Sequence, residues 1–297
     1  MHSDLRGLIP ALATPLNEDF TVDTGGLKAL VDYVIGGGAR GIFVLSSTGE
    51  GPMLADEQRH VAVTAAAEAA AGRAPVLMHV PETSTERVLR WARLAPELGA
   101  QYIVSTLPFY FHHEGQQTLD FYHALADASR LPVFLYNVPF CTGVHITHQQ
   151  IAQLAAHPNI VGIKDSTQDW RHFQKVIRIK QQHPGFLVFN GDEEALASTV
   201  FMGGDGGVLG LGNVCPALCT AVFEAAHRGD VEAARRLQAE LTDLQQMWFC
   251  FACPSGALKM TLGLLGLAKP YVTPPLLPAP PELEPFLREL LSRHGLV

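Results

Sequence analysis

Lys164 closes the apolar run Asn159–Ile163. A short apolar run bounded by turn-formers reads as a strand buried on both faces, as in a parallel sheet. A lysine at the carboxyl end of such a strand sits where α/β enzymes keep their chemistry, and desolvation there favours the uncharged, nucleophilic amine. Taken alone, Lys164 admits a plainer reading: a side chain that snorkels to solvent or pairs with Asp165. Its company argues otherwise. Ser46-Ser47-Thr48-Gly49-Glu50 is a turn rich in hydroxyls and backbone N–H donors, suited to a small carboxylate. Tyr136, in Leu135-Tyr136-Asn137-Val138-Pro139, puts a phenol at the end of another apolar run, and Tyr110 follows Pro108-Phe109. One amine, two phenols and a hydroxyl loop point to imine chemistry. The amine condenses with a 2-oxo acid, and the protonated Schiff base draws electrons from the adjacent carbon–carbon bond. A tyrosine within hydrogen-bond reach shuttles the protons.

These residues need a frame that brings strand ends together. Strand-like segments fall at residues 8–13, 41–45, 75–79, 102–105, 132–136, 160–164, 186–190 and 206–209, with helical patterns between them. Asp23, Ser84, Thr147 and Asp169 read as helix amino caps. Eight strand–helix units in succession fit an α/β fold of the (β/α)8 TIM-barrel type, with a doubly wound sheet as the competitor. The first strand leads into Ala13-Thr14-Pro15-Leu16-Asn17 and not into a glycine-rich phosphate turn, which favours the barrel and disfavours a dinucleotide enzyme. The expected organisation is a barrel over residues 1–227 and a C-terminal helical extension over 228–297, packed on the barrel or on a neighbouring subunit. The extension contains a helix at 231–247, another at 254–265, and a stiff, extended proline-rich tether at 274–281.

Composition narrows the partners. Among 297 residues, 47% are hydrophobic and 17% charged, with a net charge of −8, which indicates a well-buried globular chain. Without a basic run, nucleic acid and anionic membranes are poor partners. With no signal-peptide layout or spanning apolar run, a cytoplasmic location is expected. The five cysteines (Cys141, Cys215, Cys219, Cys250 and Cys253) read as reduced thiols, and their apolar surroundings argue for core packing over metal binding.

The segments Ser47-Thr48-Gly49-Glu50, Tyr136-Asn137-Val138-Pro139 and Gly162-Ile163-Lys164-Asp165 together resemble the dihydrodipicolinate synthase / N-acetylneuraminate lyase family of pyruvate-dependent class I aldolases. Pro108-Phe109-Tyr110, Asn190-Gly191-Asp192 and the glycine-rich stretch Gly203–Gly207 fit in order and spacing, so the resemblance spans nearly the whole chain. It implies that Lys164 forms the Schiff base with pyruvate or a related 2-oxo acid and that Tyr136 is the acid/base. It also implies that Ser47 and Thr48 hold the carboxylate, with Ser47 placed for the proton relay. Tyr110 matches a tyrosine that the family contributes across a subunit interface, implying a homotetramer built as a dimer of dimers. No cofactor is implied.

Departures from the family's synthase pattern bear on the substrate. Lysine-pathway synthases carry an arginine two residues after Tyr-Asn-Val-Pro, where it grips the carboxylate of aspartate semialdehyde. Here Cys141 holds that place. Losing a buried charge-assisted contact costs roughly 2–5 kcal/mol. Asp56 and Arg59 stand where the synthases keep their feedback histidines. A 2-keto-3-deoxy sugar acid or similar compound, cleaved to or formed from pyruvate and an aldehyde, is therefore expected ahead of the synthase reaction or a non-catalytic ligand-binding barrel. Gly191, Asp192 and Glu193, after the seventh strand, suit the hydroxyls of such an acid. Glu194 reads instead as a helix-start acid, and His112 and His113 as solvated loop residues.

Overall fold

A computed structural model describes residues 5–297. Eight strands, all parallel, run in order around one sheet: β1 (Gly7–Pro10), β2 (Ile42–Val44), β3 (Val76–His79), β4 (Tyr102–Ser105), β5 (Val133–Asn137), β6 (Ile160–Asp165), β7 (Leu187–Asn190) and β8 (Gly206–Leu209). β1 pairs with β8, and a parallel bridge from Ala11 to Phe43 brings its other side against β2, so the sheet curls into a barrel. Helices follow the strands on the outside, as expected of a (β/α)8 chain.

Side chains alternate along each strand, and the alternation divides the core in two. Ile9, Phe43, Leu77, Val104, Phe134, Tyr136, Leu187, Phe189 and Val208 point inward and fill the barrel. Their neighbours Leu8, Ile42, Val44, Met78, Ile103, Leu135, Ile163 and Val188 point outward under the helices. Inward side chains at the carboxyl ends of the strands therefore share one mouth.

The four expected amino caps all form: Asp23 accepts from the Gly26 amide, Ser84 from Arg87, Thr147 from Gln150 in a reciprocal capping box, and Asp169 from Arg171 and His172. Several boundaries move. The first strand ends at Pro10, because the Ala13 amide turns to the Asn213 side chain, 2.9 Å away. The helix capped by Ser84 runs over Thr85–Leu94 and stops there, since Pro96 has no N–H with which to continue it. The long helix of the extension breaks after Leu244, and a short turn, Gln246–Phe249, follows.

Leu241, Leu244, Met247, Leu258, Leu262, Leu287, Leu290 and Leu291, all past residue 228, belong to the same outer core as the barrel helices. The proline-rich tether is not extended throughout. It opens with a turn in which the Leu276 amide donates to Thr273 O at 3.0 Å, and the Thr273 amide reaches back to the Glu50 carboxylate at 2.6 Å.

Candidate active site

Lys164 lies on β6 and is 6% exposed. Its ammonium stands 4.5 Å from the centre of the Tyr136 ring on β5 and 5.1 Å from that of Phe43 on β2. The plainer reading, a pair with Asp165, is excluded by strand alternation. Asp165 points the other way, where one oxygen accepts from Thr167 N and Oγ1 and the other meets Asn137 Nδ2 at 3.0 Å and His172 Nε2 at 3.2 Å. Among the described residues no carboxylate comes within ion-pair distance of Lys164. Two aromatic faces recover roughly 1–2 kcal/mol each, less than the several kcal/mol that burying an unpaired ammonium costs. The contacts of Lys164 therefore do not offset the cost of burying it, so stability does not explain its position.

Below Lys164 the barrel is filled. Phe43, Leu77, Val104, Phe134, Phe189 and Val208 enclose a space of only about 10 Å³, so access is from the carboxyl-end mouth. Gly191, after β7, lets the lysine chain through: a Cβ there would stand 3.1 Å from Lys164 Cε and 2.0 Å from Ser166 Oγ.

Ser47 and Thr48 lie on the loop after β2, exposed and half-exposed respectively. The loop is an unusual coil. Leu45 and Glu50 both adopt left-handed backbone (φ 61° and 58°), costly for a leucine, and a Cβ on Gly51 would stand 1.9 Å from Leu45 O. Three clamps hold it. His79 Nδ1 donates to Leu45 O at 3.0 Å. Buried Arg59 donates to Gly51 O and Pro52 O and pairs with Glu82 at 2.7 Å. Glu50 meets Lys259 Nζ at 3.0 Å and the Thr273 amide. Burial opposes ionisation of Glu82, but hydrogen bonds from Arg87 and Arg59 outweigh it and hold the carboxyl below its ordinary range.

The structure engages the acids after β7 elsewhere. Glu193 is buried, and its Oε1 accepts from the amides of Gly210 and Leu211 at 2.9 and 3.1 Å, which tie it to the loop after β8. Burial pushes its carboxyl up. Asp192 accepts from the Glu194 amide and lines, with Asp165, Thr167 and Trp170, a cleft of about 320 Å³ on the outer side of β6 and β7. The Glu193 carboxylate is thereby engaged by backbone amides, and Asp192 borders the outer cleft. Tyr110 is 76% exposed and packs edge-on against Phe111, 5.1 Å between ring centres. The Cys141 thiol is exposed on a short helix, Pro139–Thr142. Desolvation raises its pKa, and the charge of Lys164 works against that rise.

His79 was missed in the sequence reading. It is 3% exposed, ends β3, and packs edge-to-face against Tyr136 and Phe43, with ring centres 5.5 and 5.8 Å away. Burial pushes its pKa from 6.5 to about 3; the bond to Leu45 works against that fall and the charges of Lys164 and Arg59 work with it. Its contribution to stability is therefore complete above pH 6.5 and is lost as the pH falls toward 3, because only the unfolded chain takes up the proton. Between pH 7 and 5 this residue alone should remove about 2 kcal/mol. Urea denaturation at both pH values should show that loss shrinking by the same amount in His79→Phe; equal losses in the two proteins would contradict a buried, neutral imidazole.

Comparison with known proteins agrees with this geometry. Residues 4–294 match the model of the dihydrodipicolinate synthetase family. A probable 2-dehydro-3-deoxy-D-pentonate aldolase of Escherichia coli K12, YjhH, is 31% identical over 294 residues, covering 98% of each chain. A 4-hydroxy-tetrahydrodipicolinate synthase of Hyphomonas neptunium is 33% identical over 291 residues, covering 98% of this chain and 99% of its own. Among solved structures, YagE, an Escherichia coli K12 prophage protein of the dihydrodipicolinic acid synthase family in complex with pyruvate, superposes with a TM-score of 0.94. Its identity is 30%, over 98% of this chain and 99% of that one.

Proposed function

The chain belongs to the dihydrodipicolinate synthetase family, and from that premise we propose that it is a class I lyase whose Lys164 forms a Schiff base with pyruvate or a related 2-oxo acid. The observation that carries this reading is the buried ammonium of Lys164, inward at the carboxyl end of β6, resting on the Tyr136 and Phe43 rings with no carboxylate beside it.

In the cleavage direction the Lys164 amine adds to C2 of a 4-hydroxy-2-oxo acid, and the carbinolamine loses water to give a protonated imine. The imine takes up the electron pair of the C3–C4 bond as Tyr136 accepts the proton of the C4 hydroxyl, and the aldehyde departs. The resulting enamine is protonated at C3, and water then hydrolyses the imine to pyruvate and free lysine. Ser47 and Thr48 hold the C1 carboxylate on the strained loop, whose clamps fix it before substrate arrives and so reduce the cost of orientation. Cys141 offers no bidentate cation to a second carboxylate, which favours a hydroxylated aldehyde over aspartate semialdehyde.

Tyr110, which makes its ring contact on an exposed loop, is assigned to a neighbouring subunit's site in a dimer of dimers, and light scattering should give a four-chain mass. No helix among the described residues is long and apolar enough to cross a membrane; cytoplasmic placement is part of the proposal.

Incubation with pyruvate and borohydride should leave a reduced adduct on Lys164, found by peptide mass. A panel of 2-keto-3-deoxy sugar acids, N-acetylneuraminate, 4-hydroxy-2-oxoglutarate and aspartate semialdehyde, scored for pyruvate release or consumption, should show turnover of a deoxy sugar acid. The reading fails if Lys164 takes no adduct.

A further inference from the structure

The mechanism above uses the Nδ1 clamp of His79 on Leu45 O and leaves its other ring nitrogen, Nε2, without a role. Leu77 lies in the inner core and Met78 in the outer one, so alternation turns His79 inward at the last position of β3. Its ring closes a triangle with Phe43 and Tyr136, the sides being 5.5, 5.8 and 5.9 Å. The other two rings of that triangle are those that face the Lys164 ammonium.

The tautomer follows from the contact. Leu45 O, 3.0 Å from Nδ1, can only accept, so Nδ1 carries the hydrogen. Burial keeps the ring neutral. Nε2 is then a bare lone pair, and among the described residues it is buried without a partner. An orphaned buried acceptor costs about 1–3 kcal/mol. The clamp on Leu45 O accounts for Nδ1, and the aromatic triangle accounts for the ring; neither accounts for the bare acceptor at Nε2.

We infer that His79 is a further substrate-contacting residue, whose Nε2 accepts a hydrogen bond from a hydroxyl on the aldehyde-derived part of the substrate held on Lys164. This inference rests on the Schiff-base reading and deepens it by naming the substrate class. A fixed acceptor attracts an O–H group and repels a carboxylate or carbonyl oxygen, so it selects a hydroxylated carbon chain over one that ends in a second carboxylate. It also leaves the carboxylate of the 2-oxo acid to the Ser47–Thr48 loop. Pyruvate alone has no such hydroxyl, so binding of pyruvate does not engage Nε2.

The test separates the two readings. Wild type, His79→Phe and His79→Gln are each trapped with pyruvate and borohydride, then assayed with the hydroxylated 2-oxo acid that wild type turns over best. His79→Phe also removes the Nδ1 clamp on Leu45 O, so its trapping of pyruvate should weaken; kcat/KM for the hydroxy acid should fall about a further tenfold to hundredfold beyond that loss. His79→Gln, which restores an acceptor near the Nε2 position, should recover part of that loss. In wild type labelled with ¹⁵N-histidine, the unprotonated Nε2 resonance should shift on adding the hydroxy acid and stay in place with pyruvate. If that resonance ignores the hydroxy acid, or if His79→Phe retains its kcat/KM, His79 is only a core residue and the inference falls while the Schiff-base reading stands. A wild type that traps no pyruvate on Lys164 overturns both.

Discussion

Lys164→Ala is expected to abolish the borohydride-trapped pyruvate adduct and to lower kcat/KM on the order of 10⁴-fold or more. The size follows from what the residue does. Without the amine no imine forms, and no other lysine among the described residues stands inside the barrel mouth. Lys259, the other fully buried lysine, is held by Glu50, Thr14 O and Tyr271 O. The fold should tolerate the change, because removing an unpaired buried ammonium leaves no orphaned partner. A melting temperature equal to or above that of wild type would accompany the loss of activity. Tyr136→Phe supplies the contrast: it keeps the ring beside the ammonium and removes only the hydroxyl. It should still trap pyruvate, while turnover drops by about 10²–10⁴-fold through loss of proton transfer. An adduct of wild-type yield on Lys164→Ala, at any other residue, would refute the assignment.

The proximity of Lys164 and Tyr136 was legible in the sequence because each lies at the end of an apolar run, and the barrel brings strand ends together whatever their separation along the chain. His79 carried a similar signal. It ends the run Val76-Leu77-Met78 and shares the inward face with Leu77 by simple alternation, so period-two reasoning applied to every strand end would have found it. Glu193 shows the opposite case. Its position after β7 suggested a substrate contact, but its direction is set by the free amides of Gly210 and Leu211, supplied by the next strand's loop. Local sequence holds no record of that geometry. The tether failed for the same reason: prolines favour extension, yet the Thr273 amide turns back toward a carboxylate more than 200 residues earlier in the chain.

That same carboxylate makes Lys259→Met the most disruptive change expected outside the barrel mouth. Lys259 is the only charged residue of the helix Pro254–Leu264 and is 1% exposed. Its Nζ lies 2.6 Å from Thr14 O, 2.9 Å from Tyr271 O and 3.0 Å from Glu50 Oε1, so one ammonium joins the extension to the loops after β1 and β2. Burial pushes Lys259 down while Glu50 pulls it back up. Removing the cation strands Glu50 in the interior, at a cost of about 3–5 kcal/mol. Glu50 sits three residues past Ser47 on the strained loop, so the damage should reach the site as well. Alongside the stability loss, KM for pyruvate should rise more than kcat falls, because the carboxylate cradle loosens while Lys164 and Tyr136 keep their strands. The double variant Lys259→Met with Glu50→Gln removes both charges and should regain part of the stability, as expected when the penalty comes from an unpaired ion and not from lost packing. Chemical denaturation of the two single variants and the double closes the cycle. Additive losses would show that Glu50 and Lys259 act independently, and that the extension does not brace the carboxylate loop through this pair.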